Sequence, residues 1–135
     1  MIKIKTKADL TILAVELDVS DREQITQVIE KARSQFGDVD ILINNAGVVQ
    51  GKAFTEMNEK MVSKTMVINA ESHFWLVKDV LGPMLKRNSG HIVSVSSIAG
   101  MAGTAGMTDY CASKFAAYGF NEAMRVEMKH FNKNI

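Results

Sequence analysis

Short apolar stretches alternate with longer amphipathic ones along most of this chain. Residues 12–19 (ILAVELDV), 39–43 (VDILI) and 91–95 (HIVSV) are apolar and rich in β-branched side chains, which predicts three strands. Between and after them, apolar residues recur at intervals of three and four, which predicts helices. This alternation of strand and helix is typical of an α/β fold built on a parallel sheet.

Capping residues predict where the first helix begins and ends. Ser20 is followed three residues later by Glu23, and this pair forms a capping box. Apolar residues then follow at helical spacing as far as Gly37, a glycine in the usual C′ position. The first helix is therefore predicted to lie between the strands at 12–19 and 39–43.

Two further helices are predicted from the same kind of signal. Thr55 is expected to cap a long helix that runs to about residue 85, with a kink or interruption at Gly82-Pro83. After the strand at 91–95, a glycine-containing loop at residues 100–107 leads to a last helix over about residues 108–131. All these elements fit a single domain over residues 1–135.

Composition narrows the class of protein. The 135 residues are 47% apolar and 23% charged with a net charge of +1, which is typical of a globular domain and gives no basic surface for nucleic acid. The single Cys111 cannot form an internal disulfide, which favours an intracellular, reducing compartment. No apolar run approaches the ~20 residues of a membrane span, so we expect membrane association only through segments outside this chain. The histidines His73, His91 and His130 lack metal-ligand spacing, so no metal site is expected.

The strongest chemical pattern is the segment 110–114 (YCASK) in the last predicted helix. Residues four apart share a helix face, so the Tyr110 hydroxyl and the Lys114 ammonium can address one site. A free phenol has a pKa near ~10, and a nearby fixed cation favours its ionised form. The pair therefore suits proton transfer with an alcohol, although alone such a pair more often belongs to a solvated helix face.

A serine pair follows the strand at 91–95. Ser97 lies thirteen positions before Tyr110, and parallel α/β sheets place their sites at the carboxyl ends of strands. A hydroxyl at that place can hold a substrate oxygen against the tyrosine. Ser96 offers the same group, and ordinary turn chemistry is the alternative role for either serine.

Two asparagine-containing segments complete the pattern. Residues 44–47 (NNAG) follow the strand at 39–43, and small residues there let the backbone approach a flat ligand, although an ordinary turn has the same composition. Asn69 lies inside a predicted helix, where asparagine is unfavourable. Its amide can donate locally or hold a water, and a satisfied interior amide is the more frequent case.

Taken together, these segments resemble the short-chain dehydrogenase/reductase family. The order is Asp18-Val19, the NNAG run, Asn69, residues 91–97 (HIVSVSS) and the YCASK run, and the resemblance extends from about residue 12 to the end. It implies a Rossmann-type, doubly wound parallel sheet, and hydride transfer between NAD or NADP and an alcohol or carbonyl compound. It also implies a homo-oligomer formed through the two long helices.

The resemblance implies a role for each matching position in the chemistry. Tyr110 corresponds to the general acid/base, and Lys114 to the residue that lowers its pKa and hydrogen-bonds the nicotinamide ribose. Ser97, rather than Ser96, corresponds to the serine that orients the substrate, because its distance along the chain from the tyrosine fits. Asn69 corresponds to the asparagine that holds a water in the proton relay.

The same resemblance implies a cofactor-binding set. This set comprises Asp18 and Val19 beside the adenine, Asn45, Ala46 and Gly47 beside the adenosine ribose, and again Tyr110 and Lys114. Asn44 corresponds to the structural partner within the NNAG run. Residues 45–49 (NAGVV), 73–75 (HFW) and 109–115 (DYCASKF) further resemble the retinol dehydrogenase 10 and 17β-hydroxysteroid dehydrogenase 11 branch. That branch implies a lipophilic, retinoid- or steroid-like substrate and a location in the cytoplasm or at the endoplasmic reticulum or lipid droplets.

The pyrophosphate-binding turn of the family, Gly-x-x-x-Gly-x-Gly, is not found in this sequence. We expect it upstream of residue 12, together with the first two strands, and the last strands after residue 135. Without the first two strands, the segment 12–19 would lack a neighbour and the strand at 39–43 would be an exposed edge. NAD cannot be distinguished from NADP without the second strand. The alternative function is a non-catalytic fragment that acts as an interaction module through the helices around Trp75 and Phe115.

Overall fold

Two parallel strands, covered on one face by helices, form the centre of the structure, a computed structural model that describes residues 11–135. The elements are α1 (Arg22–Phe36), β1 (Ile41–Asn44), α2 (Glu59–Met66), a π-helical turn (Val67–Glu71), α3 (Ser72–Arg87), β2 (His91–Ser94) and α4 (Thr108–His130), with 3₁₀ turns at Phe54–Glu56 and Ile98–Gly100. β1 pairs with β2 in parallel, Ile41 opposite His91 and Asn44 opposite Ser94. The predicted α/β class with a parallel sheet is confirmed.

The two faces of the sheet have different surroundings. On the helix side, Leu42 and Ile92 pack against a buried cluster of α1 and α3 residues, namely Ile25, Ile29, Val80 and Met84. On the other side, Ile41 and Ile43 are each 60% exposed. This alternation follows from the two-residue period of a strand. We call the side that carries Ile41 and Ile43 the open sheet face.

The predicted strand at residues 12–19 is wrong. The segment is irregular, and its Leu17 side chain packs against the helix-side core while Ile12 and Val15 remain exposed. A strand exists only through a backbone ladder with a neighbour, and no segment within residues 11–135 pairs with this one. Its apolar, β-branched composition therefore could not produce a strand in this part of the chain.

Helix α1 begins one residue later than predicted. Its N-cap is Asp21, whose carboxylate accepts hydrogen bonds from the backbone N–H groups of Glu23 (2.9 Å) and Gln24 (3.1 Å). Ser20, the predicted cap, instead donates to the side chain of Asp18. A carboxylate satisfies two of the free N–H groups and also favours the positive end of the helix dipole. The predicted end at Gly37 is confirmed, with a φ of 84°.

The predicted start of the second helix is also wrong. Helix α2 begins at Glu59, and its N-cap is Asn58, whose side chain accepts from the backbone N–H of Met61 at 3.0 Å. Thr55 lies in a separate 3₁₀ turn and caps nothing with its side chain. Both residues are good caps by type, and the structure uses the later one.

The helix is irregular at a different place from the one predicted. It passes through Pro83 without interruption to Arg87, and the irregular turn is the π-helical one at Val67–Glu71. Proline removes one backbone hydrogen bond, but Val80 and Met84 on either side of it are 1% and 0% exposed. Packing of these two side chains therefore holds the helix together across the proline.

The remaining elements lie where the sequence placed them. β1 and β2 match the predicted strands to within two residues, and α4 (Thr108–His130) matches the predicted last helix. None of the helices within residues 11–135 has the length and apolar character needed to cross a membrane. The carboxyl ends of β1 and β2 lie at one edge of the sheet. The segments with candidate functional residues that follow the two strands therefore begin at this edge.

Candidate active site at the carboxyl ends of the strands

Tyr110 and Lys114 occupy the first two turns of α4. The Lys114 ammonium lies 5.7 Å from the centre of the Tyr110 ring. Lys114 is only 4% exposed, whereas Tyr110 is half-buried. The helix therefore brings the two groups to one face, as their spacing predicted.

The Lys114 ammonium is fixed to the end of β2. Its Nζ donates to the backbone carbonyl of Val95 at 2.8 Å, and Val95 is the first residue after the strand. Burial lowers the pKa of Lys114 from its ordinary value, because a charged amine loses solvation there. An ammonium has three protons, so two remain for other partners.

The two serines after β2 have different bonds. Ser96 donates its hydroxyl proton to the backbone carbonyl of Lys114 at 3.1 Å. Ser97 accepts, through its Oγ, the backbone N–H of Ala99 at 3.2 Å, which leaves its own proton free. Of the two serines, Ser97 is therefore the one whose hydroxyl proton has no partner within residues 11–135.

Gly100 lets the serine turn lie directly against α4. A Cβ at this position would come within 2.7 Å of both the Lys114 carbonyl oxygen and the Ser96 Oγ. No larger residue fits without displacing the turn that carries Ser97. The sequence predicts Gly100 only as part of a loop, because a close approach of backbone to helix leaves no local sequence signal.

Asn69 lies in the π-helical turn and is fully buried. Its Oδ1 accepts from the backbone N–H of Val48 at 2.7 Å, and its Nδ2 donates to the Val48 carbonyl at 2.8 Å and to the Ser113 Oγ at 2.9 Å. These bonds use both amide protons and one lone pair. The side chain is therefore a hydrogen-bonded interior amide, which was one of the two expected cases. A water bound by this side chain could use only the remaining lone pair of Oδ1.

The loop after β1 lies over Asn69 and Lys114. A Cβ added to Gly47 would be 3.4 Å from the Asn69 Oδ1 and 3.6 Å from the Lys114 Nζ. Asn45, Ala46 and Gly47 are exposed, so the loop presents open backbone above these two side chains. The absence of a side chain at Gly47 provides a surface on which a flat group can lie.

Other predicted cofactor residues are outside this hydrogen-bonded group. Asp18 is exposed, and its carboxylate accepts from the Ser20 backbone N–H (2.9 Å) and hydroxyl (2.7 Å). These hydrogen bonds lower the pKa of Asp18. Val19 is half-buried beside it. No hydrogen bond in the described part of the chain joins either residue to Lys114.

A pair of polar contacts, not predicted from the sequence, joins α4 to the long helix, which is the continuous run of α2, the π-helical turn and α3. The Thr65 hydroxyl donates to Asp109 Oδ2 at 2.7 Å, and one turn further on Asn69 donates to Ser113. Both contacts join residues 44 apart, so the two helix faces meet in register. The repeated spacing of four, Thr65 to Asn69 and Asp109 to Ser113, is the only sequence signal that could have indicated them.

His73 is buried near the ammonium of Lys114 and is 1% exposed. Neither ring nitrogen has a hydrogen-bond partner within residues 11–135. Burial, and then the positive charge of Lys114, lower the pKa of His73 to about 4. His73 is therefore neutral in the folded chain at physiological pH.

The low pKa of His73 predicts a loss of stability in mild acid. The unfolded chain binds a proton at this residue near pH 6.5, whereas the folded chain does so only near pH 4. The free energy of unfolding should therefore fall as pH decreases between these values, by up to about 3 kcal/mol from this residue. Urea unfolding across this range should show a smaller fall for His73→Phe than for the unsubstituted chain. His91→Gln, at an exposed histidine, should follow the unsubstituted curve, and parallel curves for all three chains would refute the assignment.

This chain matches the model of one protein family and is similar to several known dehydrogenases. The model of the short chain dehydrogenase family matches residues 1–135. Short-chain dehydrogenase/reductase family 16C member 6 of Bos taurus is 44% identical over 131 residues, which are 97% of this chain and 42% of that protein. Retinol dehydrogenase 10-B of Danio rerio is 48% identical over 117 residues, which are 87% of this chain and 35% of that protein.

Among solved structures, a short-chain dehydrogenase from Streptomyces avermitilis has the same fold. The TM-score is 0.82 at 33% sequence identity, over 87% of this chain and 44% of that one. The chain thus spans less than half the length of each of these three relatives. This likeness confirms the predicted Rossmann-type architecture, of which residues 11–135 form a part.

Proposed function

Because the chain belongs to the short-chain dehydrogenase family, we propose that the complete protein is an oxidoreductase that transfers a hydride between NAD or NADP and a lipophilic alcohol or carbonyl compound. The observation that carries this proposal is the pairing of Tyr110 with Lys114, whose ammonium is fixed to the end of β2 beside the turn that carries Ser97. Asn69 and the exposed loop at Gly47 complete the group. Parallel α/β sheets place their sites at this edge.

In this proposal, each side chain has a separate role in the transfer of one proton. The Ser97 hydroxyl, whose proton is free, hydrogen-bonds the substrate oxygen and holds it toward Tyr110. The Tyr110 hydroxyl gives its proton to that oxygen in reduction and takes it back in oxidation. The Lys114 ammonium, held by the Val95 carbonyl, favours the ionised phenol between these steps. Asn69 keeps the loop at Val48 and helix α4 in fixed relative positions.

The residues present fit one side of a nicotinamide dinucleotide. The exposed backbone of Asn45, Ala46 and Gly47 offers a surface for a ribose, and Lys114 has two free protons for ribose hydroxyls. The bound dinucleotide supplies or accepts the hydride. Asp18 and Val19 are proposed to lie beside the adenine. Within residues 11–135 there is no glycine-rich turn to receive the pyrophosphate.

Exposed apolar residues near the site support a lipophilic substrate. Ile98 and Met101, which follow Ser97, are 83% and 68% exposed. Phe54 is 72% exposed and contributes to an open cleft of about 550 Å³ at the start of α2. A Cβ at Gly106 would lie 4.0 Å from the Lys52 carbonyl oxygen, so the loop before Phe54 approaches the loop before α4. The relatives named retinol dehydrogenase 10 fit this interpretation.

The proposal is tested by turnover of the complete protein. We expect oxidation of retinol or a steroid alcohol, or reduction of the matching carbonyl, with NAD(H) or NADP(H). Short polar alcohols should react with a lower kcat/KM because the apolar rim gives them little binding energy. Absorbance of the reduced nicotinamide at fixed cofactor provides the measurement. A complete, folded protein that binds neither cofactor would refute the proposal.

A second candidate function is an interaction module, and the surface of α3 and α4 favours it. Phe74 on α3 and Phe120 on α4 contact each other with ring centres 4.2 Å apart and ring planes tilted by 44°, and Phe74 is 52% exposed. Phe115 and Tyr118 are also exposed on α4. We propose that this surface pairs with a second copy of the protein, in the cytoplasm or at the endoplasmic reticulum or lipid droplets. Such pairing is compatible with catalysis, so the turnover assay decides whether it is the whole function.

A further inference from the structure

The N-terminus of α4 is unusual for a helix that carries a candidate catalytic residue in its first turn. Its N-cap is Met107, a residue that makes no side-chain cap hydrogen bond. Tyr110 is the third residue of the helix, where backbone N–H groups have no partner within the helix. Helices without a cap fray at this turn, and fraying here would move the phenol.

Asp109 takes over the role of the missing cap. Its Oδ1 accepts the backbone N–H of Tyr110 at 2.8 Å, and its Oδ2 accepts the Thr65 hydroxyl at 2.7 Å. Asp109 is 4% exposed and Thr65 is fully buried. A carboxylate in the first turn is also favoured by the helix dipole. The catalytic end of α4 is therefore joined to α2 by a buried, charge-assisted hydrogen bond.

The direction of the hydrogen bond is fixed by the chemistry of Thr65. Its hydroxyl lies 3.0 Å from the Met61 carbonyl and 2.7 Å from the Asp109 carboxylate. A hydroxyl has a single proton, and the shorter contact to an ionised acceptor takes it. Thr65 therefore donates its proton to Asp109. Within residues 11–135, no other side chain donates to this carboxylate.

Each of the two contacts between the long helix and α4 holds the residue directly before a candidate catalytic residue. Thr65 holds Asp109, directly before Tyr110, and Asn69 holds Ser113, directly before Lys114. Ser113 in turn donates to the Tyr110 carbonyl at 2.7 Å. Because both contacts have the same spacing of four residues, they fix the positions of the tyrosine and the lysine relative to the same helix.

We propose that Thr65 and Asp109 are positioning residues for Tyr110, and that their hydrogen bond holds the phenol in line with Lys114 for proton transfer. This inference rests on the proposed oxidoreductase function. Neither residue touches the substrate or the cofactor in this assignment. Their effect is to prevent the first turn of α4 from opening, so that the general acid/base keeps its place while cofactor binding stays independent of them.

The test compares Thr65→Val with Thr65→Ser in the complete protein. Valine keeps the branched shape and removes the hydroxyl, whereas serine keeps the hydroxyl. We expect Thr65→Val to speed hydrogen exchange of the Tyr110 amide about tenfold and to lower kcat about tenfold, with KM and cofactor affinity nearly unchanged. Thr65→Ser should restore both quantities. Should Thr65→Val fail to fold, Asp109→Asn, which keeps the shape but weakens the bond, should give a smaller change in the same direction.

A matched control lies elsewhere in the fold. Thr26 on α1 also donates to a carboxylate, Asp79 Oδ2 at 3.0 Å, far along the chain from the site. Thr26→Val should reduce overall stability without a selective effect on the Tyr110 amide or on kcat. Equal exchange of the Tyr110 amide in Thr65→Val and Thr26→Val would overturn the positioning role. Selective exchange in a protein that turns over no alcohol would instead support the positioning of Tyr110 and refute the proposed function.

Discussion

Under the proposed function, Tyr110→Phe is expected to lower kcat of the complete protein by about 10²–10⁴-fold, the usual contribution of general acid/base catalysis. The substitution removes a single hydroxyl and leaves the half-buried ring in place. The backbone N–H of Tyr110, which Asp109 accepts, is also unchanged, so the first turn of α4 should remain intact. Cofactor affinity should therefore change little. Steady-state turnover and a cofactor titration on the same preparation provide the measurement.

Lys114→Met tests the two roles assigned to the lysine together. The ammonium favours the ionised phenol and also has protons free for the cofactor, so this variant should lose both turnover and cofactor affinity. Ser96→Ala serves as the control for the serine turn, because the Ser96 hydroxyl bonds a backbone carbonyl and faces no substrate in our assignment. It should retain most of the turnover. Undiminished activity in Tyr110→Phe would contradict the catalytic assignment.

A polypeptide limited to residues 1–135 is expected to self-associate and to bind neither NADH nor NADPH at micromolar concentration. Ile41 and Ile43 on the open sheet face are 60% exposed, and each strand has a single partner in the described part of the chain. Apolar faces and free strand edges of this kind invite pairing with other chains. Cofactor binding should fail because this sequence holds no backbone cradle for the pyrophosphate.

Light scattering over a range of concentrations, followed by fluorescence titration of both nucleotides, measures these two properties. The double substitution Ile41→Lys with Ile43→Lys should reduce association, since it places charges on the open sheet face. Phe36→Lys, at a residue that is 50% exposed at the end of α1, should leave association unchanged. A soluble monomer with micromolar nucleotide affinity would show that the open sheet face or the missing cradle has been misjudged.

Local patterns were sufficient for those elements that have a pairing or packing partner within residues 11–135. The strands at 39–43 and 91–95 and the last helix agree with β1, β2 and α4 to within two residues. The segment 12–19 has an equally apolar composition but no strand, because the ladder that would make it one depends on a neighbour. Strand formation is thus a property of pairs, which a single segment cannot specify.

The candidate catalytic residues could be predicted from the sequence, but the hydrogen bonds that hold them in place could not. The spacing within YCASK placed Tyr110 and Lys114 on one face of α4, and the structure brings them together. The bonds from Thr65 to Asp109 and from Asn69 to Ser113 cross 44 residues, so they depend on how two helices pack. The neutral state of His73 likewise depends on burial, which its position in the sequence does not reveal.

The π-helical turn at Val67–Glu71 restricts how this helix can change in length. A π-helical turn closes its hydrogen bonds over five residues where an α-helix uses four, so this turn holds one additional residue. Loss of that residue would convert the segment to regular helix and leave the packing of α3 in place. It would change how Asn69, which lies in the turn, faces Val48 and Ser113. Homologous genes should therefore rarely show gaps in this turn.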